Sequence, residues 1–179
     1  MRIFVTGASG FIGQRFCMLA VEAGHQVVGL VRAVSAGKVP AGVTRVIGSL
    51  PYDVPRQALT GVDLVVHLAA ITTAERSGES VSVNEIGTEF LLELASAGEW
   101  RPGFLFLSTQ SAHGGNNSAY AVTKRASEEL VRGGGLEWVI VRPGLVYGPG
   151  ESGLFARMRQ ALRKLPVLPM LGGGKALVQ

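Results

Sequence analysis

Cysteine is nearly absent from this chain of 179 residues: Cys17 stands alone, so neither a disulfide framework nor a cysteine metal centre can be built. Charge is scarce too, at 17% of residues, with a formal net charge of +4 spread along the chain. That mild balance supports an anionic ligand only weakly and argues against nucleic acid as a partner. No apolar run is long enough to span a bilayer, so no membrane partner is expected. The first residues already read as a strand and lack the charged, apolar and cleavage regions of a signal peptide. A soluble cytoplasmic protein is the expectation.

What the chain does hold is apolar residues, at 47%, and 25 glycines, enough for a sizeable core and many short turns. Its length suits one domain, with at most a stub of a second. The neighbours of Cys17 at helical spacing suggest a buried thiol. No internal repeat or low-complexity tract is present.

The chain is organised around its opening stretch. Met1-Arg2-Ile3-Phe4-Val5 is a short run rich in β-formers, followed by Thr6-Gly7-Ala8-Ser9-Gly10-Phe11-Ile12-Gly13. Ile12, Phe16, Leu19, Ala20 and Ala23 then recur at helical spacing, and Gly24 falls where a C-cap glycine belongs. Strand, glycine turn and helix form the first unit of a dinucleotide-binding fold. Gly7 permits the tight turn, Gly10 the approach of a pyrophosphate, and Gly13 close packing of helix on strand. The free amides and positive dipole end at the helix start, around Phe11 and Ile12, favour phosphates. Three glycines can also make a plain tight turn.

Val27–Val31 reads as a buried second strand ending at Arg32. An acidic residue at such a strand end binds the ribose 2′-hydroxyl, whereas an arginine accommodates a 2′-phosphate, so Arg32 tilts the cofactor toward NADP over NAD. The bland alternative is a solvated arginine at a loop start. A Gly/Pro/Ser-bearing loop over 33–42 and a short strand over 43–47 follow. Ala58-Leu59 suggests a brief helix broken by Gly61, and 63–70 an uninterrupted apolar strand. His67 within it is expected to be a satisfied core or strand-end group. A helix is expected over 80–97, with Asn84 near its start, and a strand over 104–107 that delivers Ser108 and Thr109 at its carboxyl end. Ser118 N-caps a helix to Arg132, and 137–141 is the next strand. Asn116-Asn117-Ser118 matches a glycosylation sequon, which is discounted with no secretory signal in view. Strands alternating with helices, each strand nearly all apolar, mean an α/β fold with a doubly wound parallel sheet covered on both faces.

Tyr120 and Lys124 lie four apart on one helix face. A free phenol titrates near about 10, and a nearby ammonium favours the phenolate and pulls that value toward neutrality. Thr109, at the end of a central strand, supplies a hydroxyl to hold a substrate oxygen beside Tyr120. Ligands in such sheets bind outside those strand ends.

At this point the chain resembles the extended short-chain dehydrogenases/reductases, the NAD-dependent epimerase/dehydratase family. The resemblance rests on 6–13, Leu-Val-Arg at 30–32, His-Leu-Ala-Ala at 67–70 and Val-Asn-x-x-Gly-Thr at 83–88. It continues with Leu-Ser-Thr at 107–109, Tyr-x-x-x-Lys at 120–124 and Arg-Pro-Gly-Leu-Val-Tyr-Gly-Pro-Gly at 142–150, in family order over nearly the whole chain. It implies a Rossmann fold with Tyr120 as catalytic acid/base and Thr109 as its Ser/Thr partner. Lys124 would lower the pKa of Tyr120 and bind the nicotinamide ribose. Leu68, Ala69 and Ala70 would line the cofactor, Asn84 would help position it, and Pro143 would pack by the nicotinamide. The helices over 80–97 and 118–132 are the family's usual homodimer surface.

Three departures stand out. The third strand usually ends in an acidic residue that meets the adenine, whereas Gly48-Ser49-Leu50 offers a hydroxyl, with Leu50 beside the cofactor. The loop after Thr109 carries His113-Gly114 where the family has Tyr-Gly. The family also continues past a stretch like 172–174 into another strand and a small substrate region. The expected organisation is therefore a dinucleotide-binding domain over 1–150 and the incomplete start of a substrate-binding region over 151–179. The segment 152–164 is expected to be helical, with Arg157, Arg159, Arg163 and Lys164 forming either a rim for a nucleotide-sugar diphosphate or a solvated basic face. The activity expected is epimerisation, dehydration or keto reduction of a nucleotide-sugar. The alternatives are an NADPH-dependent ketone or aldehyde reductase and a dinucleotide-binding protein without turnover.

Overall fold

The computed structural model describes residues 1–72, 77–113, 115–148 and 160–163. Six strands, β1 (Arg2–Thr6), β2 (Gln26–Val31), β3 (Thr44–Ile47), β4 (Leu64–His67), β5 (Gly103–Leu107) and β6 (Trp138–Val141), form one sheet. Their order is β3-β2-β1-β4-β5-β6 and every pairing is parallel. This is the doubly wound Rossmann arrangement, in which the strand order reverses at β1 and opens a crevice between β1 and β4.

The apolar strands serve two cores because successive side chains point to opposite faces. Phe4, Val28, Val65, Phe104 and Phe106 join Leu91 and Val131 on one face, beneath α3 (Gly87–Ser96) and α4 (Ala119–Gly133). Val5, Val27 and Val66 join Cys17 and Ala20 of α1 (Phe11–Glu22) on the other. Phe4, Phe104 and Phe106 are almost fully buried, and truncating any one to alanine costs about 3–5 kcal/mol through lost transfer energy and the cavity left. Burial pushes the Cys17 thiol up to about 11, which leaves it protonated and inert.

The elements follow the sequence pattern with informative exceptions. Ser118 caps α4, its Oγ accepting from the Ala121 amide at 3.3 Å, and Gly24 closes α1 at φ +82°. The strand expected over 63–70 leaves the sheet after His67, because Leu68 to Ile71 line the crevice. The helix expected over 80–97 is instead α2 (Ser77–Ser80), a π-helical stretch Val81–Ile86 and then α3. Within the π stretch the Asn84 carbonyl accepts from the hydroxyls of Thr88 and Ser127. The loop over 33–42 contains a 3₁₀ segment, Ala33–Lys38, and another spans Arg56–Leu59. Edge strand β6 is not covered on both faces as its composition suggested: Val139 is 56% exposed and Trp138 and Val141 are also exposed. An edge strand has a neighbour on one side only, and its apolar composition cannot distinguish it from a central one.

The chain divides into two compact units, Met1–Gly144 and Leu145–Gln179. Residues 160–163 are helical; the rest of the basic segment expected over 152–164, and 172–174, lie outside the described residues. Among the described residues no helix is long and apolar enough to cross a membrane.

Candidate active site

The glycine turn leaves β1 at Thr6 and enters α1 through Gly10. Gly7 has φ +71°, and a Cβ there would lie 2.8 Å from the Ala69 nitrogen. A Cβ on Gly13 would lie 2.0 Å from the Gly7 carbonyl oxygen, so helix and turn meet backbone to backbone. Only glycine fits either place. Gly10 donates its amide to the Gly7 carbonyl at 2.9 Å, and no side chain caps the helix. The first-turn amides of Phe11, Ile12 and Gly13 are therefore available to an anion.

Beside the turn lies a crevice of about 390 Å³, at the carboxyl ends of β1, β2, β3 and β4. Gly7, Gly10, Arg32, Leu50, Leu68, Ala69 and Ala70 all line it, joined by Ser49 and Ile71. The 48–53 loop that presents Ser49 and Leu50 is closed by reciprocal backbone bonds between Ser49 and Asp53, at 2.7 and 2.9 Å. Leu50 rests on Gly87, where an added Cβ would lie 3.0 Å from the Leu50 Cβ. Arg32 is exposed, and among the described residues its guanidinium makes no ion pair. The unmet amides, the backbone-only cradle and the crevice fit a dinucleotide: diphosphate at the turn, adenosine toward Arg32 and Leu50.

Asn84 stands behind the crevice wall. Buried at 1% exposure, it accepts from the Ile71 amide at 2.8 Å and donates to the Ile71 carbonyl at 3.0 Å and to Thr123 Oγ1 at 3.2 Å. It thus ties the wall to α4, and would position a cofactor through Ile71 without touching it. His67 is likewise structural, bonded through Nδ1 to Thr6 and through Nε2 to Thr88.

Thr109, Tyr120, Lys124 and Pro143 are outside this crevice lining, on the β5 end, α4 and the segment after β6. Thr109 is half-buried, and its Oγ1 accepts from the Ser111 amide at 3.2 Å, which leaves its own proton to donate. The Pro143 carbonyl accepts from the Gln110 amide at 3.2 Å, so the β6 exit is stitched to the residue after Thr109. Tyr120 is half-buried, and its hydroxyl has no hydrogen bond among the described residues.

The electrostatics of the Tyr120–Lys124 pair differ from the sequence expectation. Lys124 is only 2% exposed, with its ammonium 3.8 Å from the centroid of the Phe106 ring. Burial pulls it down to about 7, opposed by the charge of Glu128. Burial also pushes the Tyr120 phenol upward, with no offsetting pull from the lysine. The amine is turned toward the Phe106 ring of the sheet, and burial weakens its hold on a proton.

The feature that sequence reasoning missed is the carboxylate of Glu128. It sits one turn beyond Lys124 on the same face of α4 and is 4% exposed. It accepts from Ser108, Arg132 and both Nε and Nη2 of Arg142, and these partners hold it at about 2 despite burial. The signal in the sequence was a charged residue continuing the Tyr120–Lys124 stripe at i+8 among Ala121, Ser127 and Val131. His113, by contrast, is exposed at the end of the 110–112 turn.

Fold and crevice together define a doubly wound α/β protein whose glycine-lined crevice fits a dinucleotide. The model of the NAD dependent epimerase/dehydratase family matches residues 3–179, and the chain belongs to that family. It is 32% identical to a ceramide reductase of Caulobacter vibrioides over 94% of this chain and 53% of that protein. A 2-alkyl-3-oxoalkanoate reductase of Stenotrophomonas maltophilia is 33% identical over 92% of this chain and 56% of its own length. The chain thus spans about half the length of these curated relatives. Among solved structures, UDP-glucuronic acid 4-epimerase from Bacillus cereus in complex with NAD superposes with a TM-score of 0.75 and 27% identity. That match covers 83% of this chain and 57% of the other.

Proposed function

We propose that the chain acts as an NAD(P)-dependent epimerase or dehydratase on a nucleotide-sugar. What supports this reading is that Thr109 follows β5, Tyr120 and Lys124 lie on α4 and Pro143 follows β6, with the Gln110 amide bonded to the Pro143 carbonyl at 3.2 Å. A nicotinamide dinucleotide held by the glycine turn, Arg32, Leu50 and Leu68 to Ala70 would supply the hydride acceptor and donor for the substrate carbon. Tyr120, in its phenolate form, takes the proton from the substrate hydroxyl and becomes the phenol; its hydroxyl, with no hydrogen bond among the described residues, is open to that contact. Thr109 donates its hydroxyl proton to the same substrate oxygen and so fixes the substrate against the phenol. Lys124 lies one turn along the helix; turned away from Phe106, its ammonium would favour the phenolate and reach the nicotinamide ribose. The likeness to UDP-glucuronic acid 4-epimerase supports the substrate class.

A second reading, an NADPH-dependent ketone or aldehyde reductase, is favoured by Arg32 at the end of β2 and by the two reductases named above. In either reading NADP is preferred to NAD, the protein is cytoplasmic, and homodimers pair through the segment over 80–97, which ends in α3, and through α4.

The test is to incubate the protein with NADP(H) and either a UDP-hexose or a β-keto ester, following reduced-nicotinamide absorbance and product NMR. Sugar conversion without net absorbance change supports the first reading; steady loss of NADPH with the ketone supports the second. Tyr120→Phe abolishes turnover and keeps dinucleotide affinity. Undiminished turnover in that variant removes the catalytic assignment.

A further inference from the structure

We propose that Glu128 is the positioning residue of this site: its carboxylate sets the spacing of Thr109, the Tyr120–Lys124 helix and Pro143. The inference rests on the roles given above to Thr109, Tyr120 and Pro143.

An ionised carboxylate offers about four lone-pair positions, and each is taken. Oε1 receives the Ser108 hydroxyl and Arg142 Nε at 2.8 Å; Oε2 receives Arg132 Nη2 at 2.9 Å and Arg142 Nη2. The donors belong to three segments. Ser108 directly precedes Thr109, Arg142 directly precedes Pro143, and Glu128 itself rides on α4 one and two turns beyond Lys124 and Tyr120. A single buried group therefore joins every non-glycine element of the proposed reaction centre.

Two details make this more than a brace. Arg142 approaches with Nε and Nη2, a planar two-pronged contact that fixes orientation as well as distance. Backbone bonds on either side, Ser108 N to Val141 O at 2.7 Å and Gln110 N to Pro143 O at 3.2 Å, leave Thr109 little freedom of its own. Its place relative to Tyr120 then depends on how α4 is held to these two strand ends. Glu128 also acts on Lys124 electrostatically, on a helix that carries Tyr120, Arg125, Glu129 and Arg132 as well, while β5 contributes the Phe106 ring and β4 contributes His67. Arg132 and Arg142 both ion-pair with the carboxylate.

The experiment compares the full chain with Arg142→Lys, which keeps the charge and loses the fork, and with Ser108→Ala, which removes one donor. Both variants are expected to melt close to the parent and to bind NADPH within about twofold. Turnover is expected to fall by about tenfold to a hundredfold in kcat with KM little changed, the pattern of misplaced reacting groups. Amide NMR spectra are recorded alongside and need no turnover. Shifts reaching Thr109 and Tyr120 in Arg142→Lys support the inference even if the parent converts none of the substrates offered, an outcome that would count only against the proposed reaction. Shifts confined to the neighbourhood of the substituted residue, or an unchanged kcat in a folded variant, overturn it. A kcat loss that merely tracks the unfolded fraction overturns it as well.

Discussion

His67 Nε2 lies 2.9 Å from Thr88 Oγ1, and this contact fixes the tautomer of a fully buried imidazole. Thr88 gives its own proton to the Asn84 carbonyl, so it can only accept from the ring, and Nε2 carries the hydrogen. Nδ1 is then the acceptor for the Thr6 hydroxyl at 2.6 Å, and Thr6 Oγ1 in turn accepts from the Ala69 amide at 3.2 Å. The register that pairs Thr6 with His67 across β1 and β4 brings the two side chains together. The resulting chain of bonds runs from the crevice wall to the π-helical stretch in one direction.

Stability should therefore fall on mild acidification. Burial, with the charge of Lys124, lowers His67 from 6.5 to about 3, so the unfolded chain takes up the proton first. The contribution is complete above pH 6.5 and is lost as pH falls from there toward 3. Glu128, held at about 2, adds its own loss only below its ordinary value of 4.5. Urea titrations at pH 7 and pH 5 should show a drop for the parent chain and a smaller one for His67→Gln. Equal drops would exclude His67 as the cause.

Gly13→Ala should abolish dinucleotide binding and destabilise the fold by about 3 kcal/mol or more, because the new Cβ would sit 2.0 Å from a backbone oxygen that cannot move without the turn. Gly61→Ala is the control. Gly61 has φ +65° but nothing within 4 Å, so only the left-handed backbone is strained, at about 1 kcal/mol. Thermal melts of the two variants separate close packing from backbone strain.

Arg32→Ser should weaken NADPH binding by about tenfold, the loss of one charge-assisted contact, and leave NADH nearly unchanged. Parallel titrations of both nucleotides measure this. A parent chain that already prefers NADH would remove the assignment of Arg32 to a 2′-phosphate.

Phe106→Leu should lower the proton affinity of Lys124 further, since the ring face now stabilises its ammonium and that contact is worth about 1 kcal/mol. The lysine side-chain NMR titration should move to lower pH than the value near 7 set by burial.

The fold was legible because two periodicities are written into the chain. Apolar runs of strand length alternate with stripes at helical spacing, and Gly7, Gly13, Gly24 and Ser118 mark turns whose chemistry allows few alternatives. The same reasoning overran β4, since Leu68, Ala69 and Ala70 are as apolar as a strand but serve a crevice wall. It also drew one helix through 80–97, because the hydroxyls of Thr88 and Ser127 reach the Asn84 carbonyl only after folding. At the site, spacing placed Tyr120 and Lys124 on one face, but the inward turn of the lysine depends on Phe106 from another strand. Glu128 continued the stripe at i+8, but the role of its carboxylate was hidden for the same reason: its partners Ser108 and Arg142 lie 20 and 14 residues away, and nothing local announces them.

Leu50 stands where the adenosine end of a dinucleotide would rest, and the bare backbone of Gly87 is its backstop. Any side chain at 87 would press that leucine forward by a few tenths of an ångström. The width of the recess is thus governed from behind, by a helix residue that no bound nucleotide would ever meet.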